Sequence, residues 1–144
     1  MYTVERVTFF NDELRSFFLK EGPEISKTFG YIFDYNFANY KKMIEMGIFL
    51  IGRKHGKICG FHVSWLNNSS LDVRIKILQQ QIFYVKPDSG RMAYHLFKKF
   101  IDIGKSEANH IITMLTIHSN IKPETLKSWG FTELETLYRM EIFK

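Results

Sequence analysis

Tyr84-Val85-Lys86-Pro87-Asp88-Ser89-Gly90-Arg91-Met92-Ala93-Tyr94-His95-Leu96-Phe97 is the stretch that decides how this chain is read. The run before it, Val73 to Val85, is dense in β-branched and aromatic residues and predicts a long strand, with a break near its start as the alternative. Pro87-Asp88-Ser89-Gly90 closes that strand, and a helix is expected from about Arg91. Met92, Leu96, Phe97, Phe100 and Ile101 share one face of it, and Lys98, Lys99, Asp102 and Lys105 the other. The first N–H groups of a helix have no internal partner and lie at the positive end of its dipole. A phosphate or pyrophosphate therefore suits Ser89 to Ala93. Small residues at Ser89, Gly90 and Ala93 would let a ligand approach the main chain, and Arg91 adds charge. An ordinary strand-to-helix turn has the same pattern, so the residues alone leave both readings open.

Outward from this unit the periods alternate between helical and extended. Upstream, Tyr2 to Thr8 predicts a first strand, and Asn11 and Asp12 can cap a helix carrying Leu14, Phe17, Phe18 and Leu19. Glu21-Gly22-Pro23 is expected to interrupt that helix, and Tyr31 to Met46 has helical spacing up to Gly47. Ile48 to Arg53 and Ile58 to Leu66 predict two strands joined by a hairpin turn at Lys54 to Lys57, with a further turn at Asn67 to Ser70. Downstream come a strand His110 to His118, a short helix Pro123 to Trp129 followed by Gly130, and a last strand Leu134 to Phe143. The order β-α-α-β-β-β-α-β-α-β predicts an α+β, mixed-sheet fold in a single domain spanning 1–144.

Composition bounds the partners. The chain has 144 residues, of which 45% are hydrophobic and 16% aromatic, enough to build one core. Twenty Lys and Arg against fifteen Asp and Glu give a formal charge of +5, so a polyanion must be considered. The basic residues are dispersed, however, as in the pairs Lys41-Lys42 and Lys98-Lys99 on solvated helix faces, which argues against nucleic acid as the main partner. A single cysteine, Cys59, lies in an apolar run and reads as a buried inert thiol. No His, Cys, Asp or Glu cluster has metal-ligand spacing. Without a signal-like start or a long apolar run, the expectation is a cytoplasmic protein with no membrane segment, in the host cytoplasm if its source is viral. The aromatic content is compatible with a homodimer.

Tyr84-Val85-Lys86-Pro87 followed by Gly90 to Phe97 resembles the acetyl-CoA pyrophosphate loop of the GNAT (N-acetyltransferase) superfamily, in which an Arg or Gln and small residues open an amphipathic helix. The element order resembles that family over nearly the whole chain, and Trp129-Gly130-Phe131 is similar to its C-terminal Gly-Phe turn. The overall pattern is similar to GNAT-like proteins of bacteriophages. The resemblance implies a GNAT-type fold, with a mixed, mostly antiparallel sheet flanked by helices. It implies acetyl-CoA as co-substrate, held by Phe83, Tyr84, Val85, Ser89, Gly90, Arg91, Met92, Ala93, Tyr94 and Asn120. Departures lie in the loop: it is shorter after Pro87 than is usual in the family, Asp88 falls at the family's Arg/Gln position, and Arg91 falls at its middle Gly, where it can bind the pyrophosphate or obstruct it.

In GNAT enzymes two central strands splay around the thioester, and the acceptor amine attacks it directly. The Glu common on the strand before the turn is replaced here by Gln79-Gln80-Gln81, and the frequent Tyr general acid by Leu126. An amide cannot take a proton but can position a water or an amine. His118 is the best substitute base, with Gln80 and Tyr138 as further catalytic candidates. A polar loop capping the short helix also accounts for His118-Ser119-Asn120. The implied activity is acetyl transfer to an amine, a small molecule or a protein. The alternative is a catalytically silent GNAT-like module acting in binding or in a virion.

Overall fold

In a computed structural model of the chain, residues 1–30, 35–114, 121–134, 140 and 142 are described. They form β1 (Tyr2–Arg6), α1 (Asp12–Phe29), α2 (Ala38–Met46), β2 (Ile48–Lys54), β3 (Lys57–Asn68), β4 (Lys76–Val85), α3 (Met92–Glu107), β5 (His110–Ile112) and α4 (Pro123–Ser128). The sequence-predicted order holds throughout these elements. Two compact units contain them, 1–114 and 115–144. Among the described residues no helix is long and apolar enough to cross a membrane.

The first unit is a five-stranded sheet in the order β1-β2-β3-β4-β5. Neighbours are antiparallel up to β4, and β5 runs parallel to β4 after the α3 crossover. Successive strand residues face opposite ways, so the sheet has two apolar faces. One carries Phe49, Ile51, Phe61, Val63 and Tyr84 against Leu14, Phe17, Phe18 and Ile25 of α1 and Tyr40 and Ile44 of α2. Phe18 lies edge-on to Phe49 and Phe61, at centroid separations of 6.3 and 5.1 Å. The other face is covered by α3, whose Phe97 and Phe100 rings approach His62 and Phe83. Gly52 leaves the space that the Met92 sulfur fills, so α3 can sit close to β2.

Three sequence expectations change. Pro23 does not break α1: the buried stripe Leu14, Phe17, Phe18, Glu21, Gly22, Ile25 continues through it, and burial outweighs the one N–H that proline lacks. Of the helix expected from Tyr31, residues 31–34 lie outside the described ones, and the described part runs only from Ala38, because Phe37 adopts φ 59° and places its ring in the core at 2% exposure. The long strand begins at Lys76, not Val73. Asp72 instead accepts from the N–H of Arg74 (3.0 Å), which holds the preceding segment in a turn. The Asn11 cap is present, its Oδ1 accepting from the Leu14 N–H at 2.9 Å.

In the second unit, Pro123 opens α4 and Gly130, at φ 94°, closes it. The Phe131 N–H bonds to the Leu126 carbonyl (3.0 Å) and the Gly130 N–H to that of Lys127 (3.1 Å), the two bonds of a Schellman ending. The last predicted strand falls largely outside the described residues.

Candidate functional site

Among the described residues β4 pairs with β5 over a short stretch. The parallel ladder runs from Ile77–His110 to Gln79–Ile112, and no pairing beyond it is present among the described residues. Immediately after it, Ser64 of β3 pairs with Gln80 while Val63 pairs with Ile82, so Gln81 is an extra, bulged residue on β4. Past the bulge, Lys86 donates its N–H to Cys59 of β3 at 2.8 Å. Strand alternation then directs the N–H groups of Phe83 and Val85 away from β3, toward the side on which β5 pairs further back.

The turn that follows is pinned from several sides. Asp88 and Gly90 both have positive φ, 63° and 61°. The Lys54 ammonium donates to the Asp88 carbonyl at 3.3 Å. Ser89 is 5% exposed, and its hydroxyl faces the Cys59 carbonyl at 3.5 Å. The Tyr2 hydroxyl accepts from the Arg91 N–H at 3.2 Å and lies where a Cβ on Gly90 would point. α3 starts without a side-chain cap and without an acidic residue in its first turn. Arg91 extends over the Tyr94 ring, 5.0 Å from its centroid. Met92 and Ala93 are buried under the helix. Tyr2 thus occupies the space left by Gly90, and the Ser89 side chain turns inward toward Cys59.

Two polar groups are buried beside the strand. His62, wholly buried among Phe83, Phe97 and Phe100, has its pKa pushed down to about 3 because burial penalises the imidazolium, so it is neutral at physiological pH. It contacts the Gln80 amide. On the opposite face, Glu21 of α1 is 6% exposed; its carboxylate accepts from the Tyr84 hydroxyl (3.2 Å) and pairs with Lys86 (3.3 Å). Burial, then the Glu21 charge, raises the Tyr84 phenol above its usual range. Tyr84→Phe is expected to destabilise the protein by about 0.5–1.5 kcal/mol, read by urea denaturation, since one hydrogen bond to a partly compensated carboxylate is lost. The sequence reading missed Glu21. Its signal was a lone charge on the apolar stripe of an amphipathic helix, spaced with Phe17, Phe18 and Ile25.

Structure therefore brings Gln80, Phe83, Tyr84, Val85, Ser89, Gly90, Arg91, Met92, Ala93 and Tyr94 into one strand-bulge-turn-helix unit. His118, Asn120 and Tyr138 lie outside the described residues. Cys59 is buried and its thiol pKa is raised mainly by desolvation, as suits an unreactive sulfur.

No family model matches the sequence, and neither does any curated protein. Solved structures do match in fold. A GNAT family acetyltransferase from Staphylococcus aureus superposes with a TM-score of 0.69 at 12% identity, over 98% of each chain. A predicted acetyltransferase with acetyl-CoA from Clostridium acetobutylicum gives 0.65 at 10% identity, over 98% of this chain and 96% of that one. A transcriptional regulator from Bacillus halodurans gives 0.75 at 8% identity, over 99% and 100%. The fold is that of the GNAT acetyltransferases.

Proposed function

We propose that this chain, as a single domain, binds acetyl-CoA along β4 beyond Gln79 and transfers the acetyl group to an amine. The observation that carries the reading is the sequence of features along one edge. Among the described residues the β4–β5 ladder ends at Gln79, a bulge follows, the Phe83 and Val85 N–H groups point away from β3, and the chain runs into the start of α3, which has no side-chain cap. Those groups fit the substrate. Outward N–H donors suit the oxygen of a thioester carbonyl, which gains charge when a nucleophile adds. The start of α3 and the Arg91 guanidinium suit a pyrophosphate.

The chemistry is one substitution at carbon. The neutral amine nitrogen adds to the thioester carbonyl carbon, the C–S bond breaks, CoA leaves as thiolate, and the amine proton passes to a base. His118, the substitute for the family's absent proton carriers, is the base we assign. Neither Gln80, an amide, nor His62, held neutral by burial, can take that proton at neutral pH.

A thermal-shift titration tests the substrate. Acetyl-CoA at a hundred times its Kd should add about 2.7 kcal/mol of stability, raising Tm by several degrees. No shift at millimolar acetyl-CoA overturns the proposal. Arg91→Ala should weaken binding by about 1.5–3 kcal/mol if the guanidinium meets phosphate, and tighter binding would mean that it obstructs the site. A second reading, a binding module that does not turn over, is favoured by the engagement of the Gln80 amide within the fold. It would show as acetyl-CoA binding without CoA thiol release across polyamines, aminoglycosides and lysine peptides.

A further inference from the structure

Gln80 makes three side-chain contacts where the β4–β5 ladder ends. Its Nε2 donates to the Met114 carbonyl at 3.2 Å, its Oε1 accepts from the Thr113 hydroxyl at 2.8 Å, and the same Oε1 lies 3.2 Å from His62 Nε2. These contacts fix one another's polarity. A carbonyl only accepts, so the amide must present its nitrogen to Met114 and its oxygen to Thr113 and His62. That oxygen only accepts, so His62 must donate from Nε2. A neutral ring carries a single N–H, which leaves Nδ1 a bare lone pair. Nδ1 indeed has no hydrogen-bond partner in the structure, although it is buried.

We infer that His62 is a positioning residue: its Nε2–H orients the Gln80 amide, and that amide bridges β4 to the chain leaving β5 just past the last backbone pair among the described residues. The bridge is the last tie between the two strands among the described residues. It therefore bears on the acyl end of a ligand lying along β4 past Gln79, and not on the α3 turn that follows Val85. This consequence rests on the acyl-CoA reading above; the bridge itself does not.

The experiment has two arms on the intact protein. Long-range ¹H–¹⁵N spectra of the histidine rings should show His62 as the Nε2–H tautomer at neutral pH. An Nδ1–H tautomer, which leaves Nε2 without a proton to donate, overturns the bridge. Calorimetric titration then compares acetyl-CoA with CoA. In His62→Phe, which keeps the ring volume but has no donor, the Kd for acetyl-CoA should rise on the order of tenfold, while that for CoA changes by less than about threefold. His62→Gln, which keeps an N–H donor, should recover most of the loss. Thr113→Val, which removes the other donor to the same oxygen, should act in the same direction and serves if His62→Phe does not fold. Equal weakening of both ligands, or no change, overturns the positioning role. If the unsubstituted protein binds neither ligand, the acyl-CoA reading and the positioning role fall together, and the tautomer still decides the bridge.

Discussion

With acetyl-CoA and a competent amine, His118→Ala is expected to lower kcat by about 10²–10⁴-fold, as for loss of a general base. An alkylammonium with a pKa near ~10 is mostly protonated at neutral pH, so the reaction needs a place for a proton. The β3 and β4 residues offer none. His62 has a pKa of about 3, the Gln80 amide does not titrate, and the Tyr84 phenol is held in its protonated form by burial and by Glu21. The sign of the pH dependence follows from the role. A base is inactive while protonated, so the rate of the unsubstituted protein should rise with pH through an apparent pKa of ~6–7 and then level off. The measurement is CoA thiol release across pH 5 to ~10. A rate that tracks amine deprotonation throughout and ignores the His118 substitution would assign catalysis to positioning and backbone polarisation alone.

Gly90→Val should cost roughly 2–4 kcal/mol of folding stability, read as a shift in the urea midpoint. Two effects combine. Gly90 sits at φ 61°, a conformation in which a β-branched side chain is strained. A Cβ there also meets the Tyr2 hydroxyl, which must move and give up its hydrogen bond with the Arg91 N–H. The second effect can be separated by a double-mutant cycle with Tyr2→Ala, which removes the ring. In that background Gly90→Ala should cost less than it does alone, by on the order of 1 kcal/mol. Strict additivity would show that the Tyr2 contact does not contribute. Because the fold itself is affected, loss of acetyl-CoA affinity in a Gly90 variant is informative only where denaturation shows the protein still folded.

The sequence by itself determined the features governed by groups within a few residues of one another. Asn11 caps α1 because its side chain reaches the Leu14 N–H one turn on. Gly130 ends α4 because the positive φ of that closure suits a residue without Cβ. The amphipathic stripe of α3 and the turn at Pro87 to Gly90 were legible in the same way, and with them the order of elements and the fold class. Tertiary structure alone decided the rest, because burial and sheet register join residues that no local pattern links. Tyr2 reaches Arg91 from 89 positions away. The bulge at Gln81 comes from how β4 registers on β3, and it decides which N–H groups face outward. Phe37 and Pro23 took the conformations that core burial favoured over those that propensity predicted. Gln80 has the same amide in either view. Only the packing of β3 against α3, which buries His62, and the end of the β4–β5 ladder commit that amide to holding two strands together.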